Sequence, residues 1–248
     1  MVVAKKPPGK ARMRFASGYG RFVAAVNSLL LAFLCLLPVT EAQTPPGQTP
    51  SGQTPPTRIA ILGDSLTAGY GLPPAQALPA RIEAALQKRA RNVIVLNHGV
   101  SGDTTAGGLA RVDWMLADKP DIVLVALGGN DGLRGSDPGQ AERNLDAIVT
   151  KLKAANVAVW LAGMLAPRNF GPEYTTAFDG MYKRLADKHG VPLYPFLLDG
   201  VAADPAFNQP DGIHPNAKGV DVLVEKLVPF LSKNLDDHAA SVRSAPRP

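Results

Sequence analysis

Short apolar segments alternate with segments of helical periodicity over residues 58–236, and this alternation is the strongest constraint on the fold. The apolar segments are rich in Val, Ile and Leu without regular alternation with polar residues, which is typical of strands buried on both faces. They occupy residues 58–62, 93–97, 122–127, 158–164 and 192–194. The helical segments occupy residues 77–89, 105–117, 140–155, 174–189 and 217–235. We therefore predict an α/β fold, a three-layer, doubly wound parallel sheet with helices on both faces.

Polar clusters rich in glycine, serine and aspartate follow three of the predicted strands, at residues 63–65, 97–104 and 128–132. A fourth cluster, at residues 211–216, precedes the last predicted helix. In a parallel sheet the carboxyl ends of the strands share one edge, and ligands bind there. We therefore expect the first three clusters to converge on a single site.

Ser65 directly follows the first predicted strand, where a serine can act as a nucleophile if a base reaches it. The same position also suits a serine that caps a helix. His214 offers the base: it precedes Pro215, which predicts that His214 occupies the N-cap of the last helix, free to point at the sheet edge. Asp211 can orient one ring nitrogen and leave the other to accept the serine proton. The alternative is a capping turn with an exposed histidine.

Two further positions could stabilise a negatively charged oxygen in a reaction at Ser65. The side-chain amide of Asn130 can donate to an oxyanion, and so can the backbone N–H of Gly102. The alternative for Asn130 is a turn former, which is the commoner use of asparagine in a glycine-rich loop. A metal site is conceivable from Asp64, Asp103, Asp131 and His214. Because histidine is scarce near the clusters, which is unusual for zinc, we predict no metal.

The formal net charge of +5 is concentrated at the N-terminus. Residues 1–42 contain six basic side chains and one acidic one, which leaves 20 basic and 20 acidic residues in the remainder. We therefore expect no nucleic-acid partner. The same 42 residues combine a basic start, an apolar run and a small residue at the end, as in a secretory signal peptide. We predict cleavage of this signal; an uncleaved membrane anchor is the alternative.

The predicted signal peptide has two consequences for the mature protein. The signal peptide contains Cys35, the single cysteine of the chain, so the cleaved protein would form no disulfide. We expect a periplasmic or secreted protein with no stable membrane span. Residues 43–57 repeat Gly, Gln, Thr and Pro and predict an extended linker before the domain of residues 58–236. The small, polar tail of residues 237–248 predicts disorder.

The four polar clusters, taken in order, resemble the four sequence blocks of the SGNH (GDSL-type) hydrolases. The matching stretches are GDSLTAGYG at 63–71, NHGVSGDTTAGGLAR at 97–111, LGGNDGLRG at 127–135 and DGIHPNAKG at 211–219. The resemblance covers nearly all of residues 58–236. It is strongest to the bacterial arylesterase, acyl-CoA thioesterase I and lysophospholipase L1 group.

This resemblance implies a flavodoxin-like sheet and a serine esterase that works through an acyl-enzyme without a metal or organic cofactor. The implied substrates are small-molecule or lipid carboxylic esters or thioesters, including aryl esters, short to medium acyl chains and lysophospholipids. Ser65 matches the nucleophile, and Asp211 and His214 match the acid and base. Ser65, Gly102 and Asn130 match the oxyanion-hole donors.

The resemblance also implies a carbohydrate O-acetylesterase as an alternative function, since related folds deacetylate glycans. A second alternative is a non-catalytic cell-surface binding module that uses the same cleft. A binding module has no need of an aligned base, so an intact set of Ser65, Asp211 and His214 argues against it. The loop of residues 165–174 follows the fourth predicted strand, so it lies at the same edge of the sheet as Ser65. It contains apolar side chains that a solvent-exposed loop normally lacks unless they cover a site. We expect Leu165 and Phe170 to line the acyl side of the pocket; the alternative for Phe170 is packing against the core.

Overall fold

The computed structural model describes residues 55–244, and a parallel five-stranded sheet forms their centre. The strands are β1 (Thr57–Gly63), β2 (Val93–Gly99), β3 (Ile122–Ala126), β4 (Ala158–Ala162) and β5 (Leu193–Tyr194). They lie in the order β2-β1-β3-β4-β5. The reversal of strand order beside β1 creates a switch point, where crevices open at the carboxyl edge of such sheets. The predicted α/β class and doubly wound parallel sheet are confirmed.

The helices pack in two groups that cover the faces of the sheet. They are α1 (Ser65–Ala68), α2 (Leu78–Gln87), α3 (Thr105–Ala110), α4 (Val112–Leu116), α5 (Gly129–Leu133), α6 (Pro138–Ala154), α7 (Gly171–His189) and α8 (Ala217–Ser244). Helix α2 packs against α8, while α6 packs against both α3 and α7. Every residue of β3 is buried, as expected for a central strand covered on both faces.

One predicted helix, residues 105–117, is divided into α3 and α4 at Arg111. The guanidinium group of Arg111 donates to the Asp103 carboxylate at 2.6 Å and to the Gly63 carbonyl at 2.8 Å. These contacts reach outside the segment, so its own helical periodicity could not predict the break. The start of the domain also differs by one residue from the prediction. Thr57 is the first residue of β1 rather than the last residue of the predicted linker.

The C-terminal segment also differs from its predicted disorder, because α8 continues to Ser244. Lys233 Nζ donates to Asp237 Oδ2 at 2.7 Å across one helical turn, and Leu235 remains buried against the core. Ala239 and Ala240 then favour continuation of the helix. Residues 237–244 are therefore helical.

The predicted signal peptide of residues 1–42 and nearly all of the predicted linker lie outside the described residues. Among the helices of residues 55–244, none is both long enough and apolar enough to cross a membrane.

Candidate active site

Ser65 is held at the carboxyl edge of the sheet by the tight connection between β1 and α1. The Asp64 side chain caps α1 by accepting the Leu66 N–H at 3.0 Å, so Ser65 is the first helical residue rather than the cap. A side chain at Gly63 would clash with Thr67, so only glycine allows the helix to turn back this closely on the strand.

Ser65, His214 and Asp211 form a continuous chain of hydrogen bonds. Ser65 Oγ lies 2.9 Å from His214 Nε2, and His214 Nδ1 lies 2.7 Å from Asp211 Oδ2. The backbone N–H of His214, its ring and the backbone N–H of Ile213 all donate to Asp211 and lower the pKa of its carboxyl group to about 2. An ionised carboxylate only accepts, so Nδ1 carries the proton and Nε2 is free to accept the hydroxyl proton of Ser65.

His214 reaches this position from a loop, and the prediction that it occupies the helix N-cap is wrong. Helix α8 begins at Ala217, and Asn216 caps it by accepting the Gly219 N–H at 3.0 Å. Pro215 instead forms an isolated antiparallel bridge with Asn208. This pairing of Pro215 with Asn208 holds His214 two residues outside the cap.

Asn130 lies on α5, beside the cavity that contains Ser65 and His214. Its side-chain Nδ2 donates to the Asp103 carbonyl at 2.9 Å and lies 3.5 Å from Asp64 Oδ2. Because an amide group has two N–H bonds, and the Asp64 contact is long, one of them can turn to a ligand. Burial raises the pKa of the Asp64 carboxyl group to about 6.

Gly102 lies in the loop after β2 in a left-handed conformation, with φ of +83°. Its carbonyl accepts from Arg134 Nη2 at 3.1 Å, and its N–H has no hydrogen-bond acceptor among the described residues. Asp103 continues this loop and supplies the carbonyl that holds Asn130. Asp103 is therefore both the chain neighbour of Gly102 and the hydrogen-bond partner of Asn130. Gly102 itself is not among the residues that line the cavity.

The aspartates considered as metal ligands are engaged in holding the loops together. Asp131 is buried and accepts both the N–H and the hydroxyl of Thr105, at 2.9 and 2.7 Å. Asp103 pairs with Arg111, and Asp64 caps α1. Across residues 55–244, no group of three or more His, Cys, Asp or Glu side chains is arranged to hold a metal ion.

A cavity of about 640 Å³ opens beside Ser65, a size typical of small-molecule sites. Its walls are mainly apolar and come from five separate segments of the chain. The side chains that sequence reasoning missed are Leu66, Leu133, Met164, Ala166, Pro167, Arg168, Phe196, Leu198, Ala202, Ala203 and Ile213. Only their sequence proximity to strand ends could have indicated some of them, such as Met164 and Phe196.

The two side chains predicted to form the acyl pocket have different positions. Leu165 lines the cavity, whereas Phe170 is not among its lining residues. The Phe170 ring packs on Tyr174 with centroids 5.1 Å apart. It also covers Gly135, where a side chain would lie 2.9 Å from it. A left-handed Gly171, with φ of +84°, turns the chain into α7 just after Phe170 and leaves its ring beside Tyr174.

A sequence model of the GDSL-like lipase/acylhydrolase family matches residues 61–222, about two thirds of the chain and all four polar clusters. The chain belongs to this family.

Two bacterial enzymes are similar to this chain over most of their own length. Esterase TesA of Pseudomonas aeruginosa is 40% identical over 174 residues, which are 70% of this chain and 87% of that protein. Thioesterase 1/protease 1/lysophospholipase L1 of Escherichia coli K12 is 41% identical over 179 residues, which are 70% of this chain and 85% of that one.

A crystal structure of the psychrotrophic esterase EstA from a Pseudoalteromonas species, inhibited by monoethylphosphonate, has the same fold as this GDSL-like hydrolase. Its TM-score is 0.70 at 31% identity, covering 73% of this chain and 99% of that chain. The resemblance to SGNH hydrolases that the four blocks predict is therefore confirmed.

Proposed function

We propose that this protein is a serine esterase that hydrolyses carboxylic esters or thioesters through an acyl-enzyme. The observation that carries the proposal is the hydrogen-bonded chain of Ser65, His214 and Asp211 at the mouth of an apolar cavity. The related proteins named esterase, thioesterase and lysophospholipase support the same reaction class. A panel of p-nitrophenyl esters, with an acyl thioester and a lysophospholipid, tests it together with labelling by a fluorophosphonate.

The proposed reaction starts with attack of Ser65 Oγ on the substrate carbonyl carbon while His214 Nε2 takes the hydroxyl proton. The negative charge moves to the carbonyl oxygen of the tetrahedral intermediate. When this intermediate collapses, His214 returns the proton to the leaving alcohol or thiol, and the acyl group remains on Ser65. Water then attacks the acyl-enzyme by the same proton transfers and releases the carboxylic acid.

The oxyanion of this reaction would be bound by the backbone N–H groups of Ser65 and Gly102 and by the Asn130 amide. Ser65 is the first residue of α1, where N–H groups have no partner within the helix. The open N–H of Gly102 and the second N–H of Asn130 support the same role.

Replacement of Asn130 by alanine is expected to lower kcat by about 10²–10³-fold with little change in KM, because a donor used only by the oxyanion stabilises only the transition state. Steady-state kinetics on p-nitrophenyl acetate measure both constants. A raised KM with unchanged kcat would instead make Asn130 a substrate-binding or turn residue. Asn156→Ala, a substitution in the turn before β4, is the matched control and should leave both constants unchanged.

The walls of the cavity favour an acyl chain over a sugar. Met164, Phe196 and Leu198 present apolar surface to it, which suits a hydrocarbon, and among the described lining residues Arg168 is the one charged side chain away from the polar residues around Ser65. A carbohydrate O-acetylesterase is therefore disfavoured by these walls, and a non-catalytic binding module is disfavoured by the alignment of His214 with Ser65.

Leu165→Ala is expected to change the relative kcat/KM values for short and long acyl esters, because each buried methylene group is worth about 0.8 kcal/mol, or roughly fourfold. Phe170→Ala is the matched control. Its ring packs on Tyr174 outside the cavity lining, so this variant should lose thermal stability and keep the acyl-chain profile. A chain-length profile that changes in Phe170→Ala and not in Leu165→Ala would contradict this assignment of the acyl pocket.

We also infer that the enzyme is exported. The basic and apolar pattern of residues 1–42 supports a secretory signal, with residue 43 as the first residue of the mature protein. Expression of the full chain in a Gram-negative host should give periplasmic enzyme, and N-terminal sequencing should start near Gln43. Membrane-bound protein that retains residues 1–42 would support the anchor instead.

A further inference from the structure

Gln209 connects the two segments that carry the proposed nucleophile and base. Its backbone N–H donates to the His214 carbonyl at 2.7 Å. Its side-chain Nε2 donates to the Tyr70 carbonyl at 2.7 Å and to the Pro215 carbonyl at 3.0 Å. Tyr70 is itself tied to the nucleophile, because its N–H donates to the Ser65 carbonyl at 3.1 Å. One residue therefore bridges two turns whose reacting side chains are 149 positions apart in sequence.

The Gln209 side chain fits closely between these two turns. Its amide carries two N–H bonds, and each has a carbonyl acceptor, one from either turn. Gly71, in a left-handed conformation with φ of +74°, lies directly against the amide, and a side chain at that position would clash with Gln209 Oε1. The local structure thus holds the amide in one orientation.

This bridge helps to fix the position of the His214 imidazole. The Tyr70 ring packs on the His214 ring with centroids 4.5 Å apart and planes tilted by 36°. Gln209 ties the backbones of both residues together, while Asp211 holds the far nitrogen of the ring. Gln209 is not among the residues that line the cavity beside Ser65, so it acts through His214 rather than on the substrate.

We propose that Gln209 is a positioning residue that keeps His214 Nε2 at hydrogen-bonding distance from Ser65 Oγ. The proposal rests on the serine esterase function proposed above. Proton transfer depends on this distance, and a displacement of about 1 Å in an active site can lower the rate about 100-fold. Because Ser65 and His214 come from opposite ends of the domain, their alignment depends on direct contacts between their turns.

Gln209→Ala should lower kcat on p-nitrophenyl acetate by about 10- to 100-fold and leave KM unchanged, since proton transfer and not substrate binding is affected. Titration of active sites with a fluorophosphonate restricts the measurement to folded enzyme. Gln87→Ala is the matched control: Gln87 Nε2 donates to the Val93 carbonyl at 3.2 Å on α2, remote from the site. The control should lose a similar amount of thermal stability and keep its kcat.

A double-mutant cycle separates positioning from a general loss of structure. In a His214→Ala background, Gln209→Ala should have no further effect on the residual rate, because the residue it positions is gone. Gly71→Ala, which displaces the amide from the opposite side, should reproduce the kcat loss and serves if Gln209→Ala does not fold. A wild-type kcat in these variants, or an equal loss in the His214→Ala background, would overturn the proposal.

The same measurements distinguish a failure of the positioning role of Gln209 from a failure of the proposed esterase function. If the wild-type protein hydrolyses esters and the Gln209 variant does so equally fast, the positioning role is overturned and the esterase stands. If the wild-type protein neither hydrolyses esters nor reacts with the fluorophosphonate, the proposed function is overturned and the positioning role with it.

Discussion

Replacing Ser65 by alanine is expected to abolish ester hydrolysis, with kcat about 10⁶-fold lower, because loss of a serine nucleophile removes the acyl-enzyme route altogether. The variant should also lose its reaction with a fluorophosphonate. The Ser65 hydroxyl contributes one hydrogen bond at the site mouth, so the thermal midpoint should stay close to that of the wild type.

The control for this experiment is Ser101→Ala, which removes the hydroxyl of an exposed serine in the loop after β2. This variant should keep both its turnover and its labelling. Wild-type turnover in Ser65→Ala would show that another residue performs the reaction, and the proposed mechanism would fail.

Asp211→Asn is expected to lower kcat by about 10⁴-fold, because an amide no longer holds the proton on His214 Nδ1 and permits the wrong tautomer of the ring. The amide oxygen can still accept the backbone N–H groups of Ile213 and His214, so the turn should persist. Asp204→Asn is the matched control, since Asp204 Oδ1 accepts the Ala206 N–H at 2.8 Å in a similar turn. Equal losses of turnover in both variants would reject a specific role for Asp211.

The lowered pKa of Asp211 also predicts the sign of a pH effect on stability. Its pKa is about 2 in the folded protein against 3.8 for a free side chain. The ionised carboxylate therefore stabilises the fold above about pH 4, and this contribution is lost as the pH falls towards 2. The difference in urea midpoint between wild type and Asp211→Asn should shrink over that pH range. A difference that grows as the pH falls would contradict the assigned shift.

The candidate site was largely predictable because its four segments have locally specific sequences. The strand before Ser65 is recognisable from its own apolar residues, and parallel strands necessarily bring their carboxyl ends to one edge. The pairing of Asp211 with His214 was predictable as well, since the two residues are three positions apart in a turn. In each case the feature was predictable because it depends on residues that are close together in sequence.

The errors arose where specific contacts in the folded chain override a local preference. Pro215 favours the first position of a helix, yet its bridge to Asn208 keeps His214 in a loop. Arg111 lies in a helical pattern, yet its bonds to Asp103 and Gly63 divide the helix. Phe170 has the apolar character of a pocket residue, yet Tyr174 and Gly135 offer it a packing site elsewhere.

The sequence by itself determined the α/β architecture, the family and the residues proposed for the reaction, because hydrophobic periodicity and short motifs are properties of adjacent residues. Only the tertiary structure decided which side chains wall the cavity, and that Gln209 bridges the turns of Ser65 and His214. Leu133 and Gln209 carry no local signal of these roles. Their contacts depend on the relative placement of segments far apart in the chain, which packing of the whole domain determines.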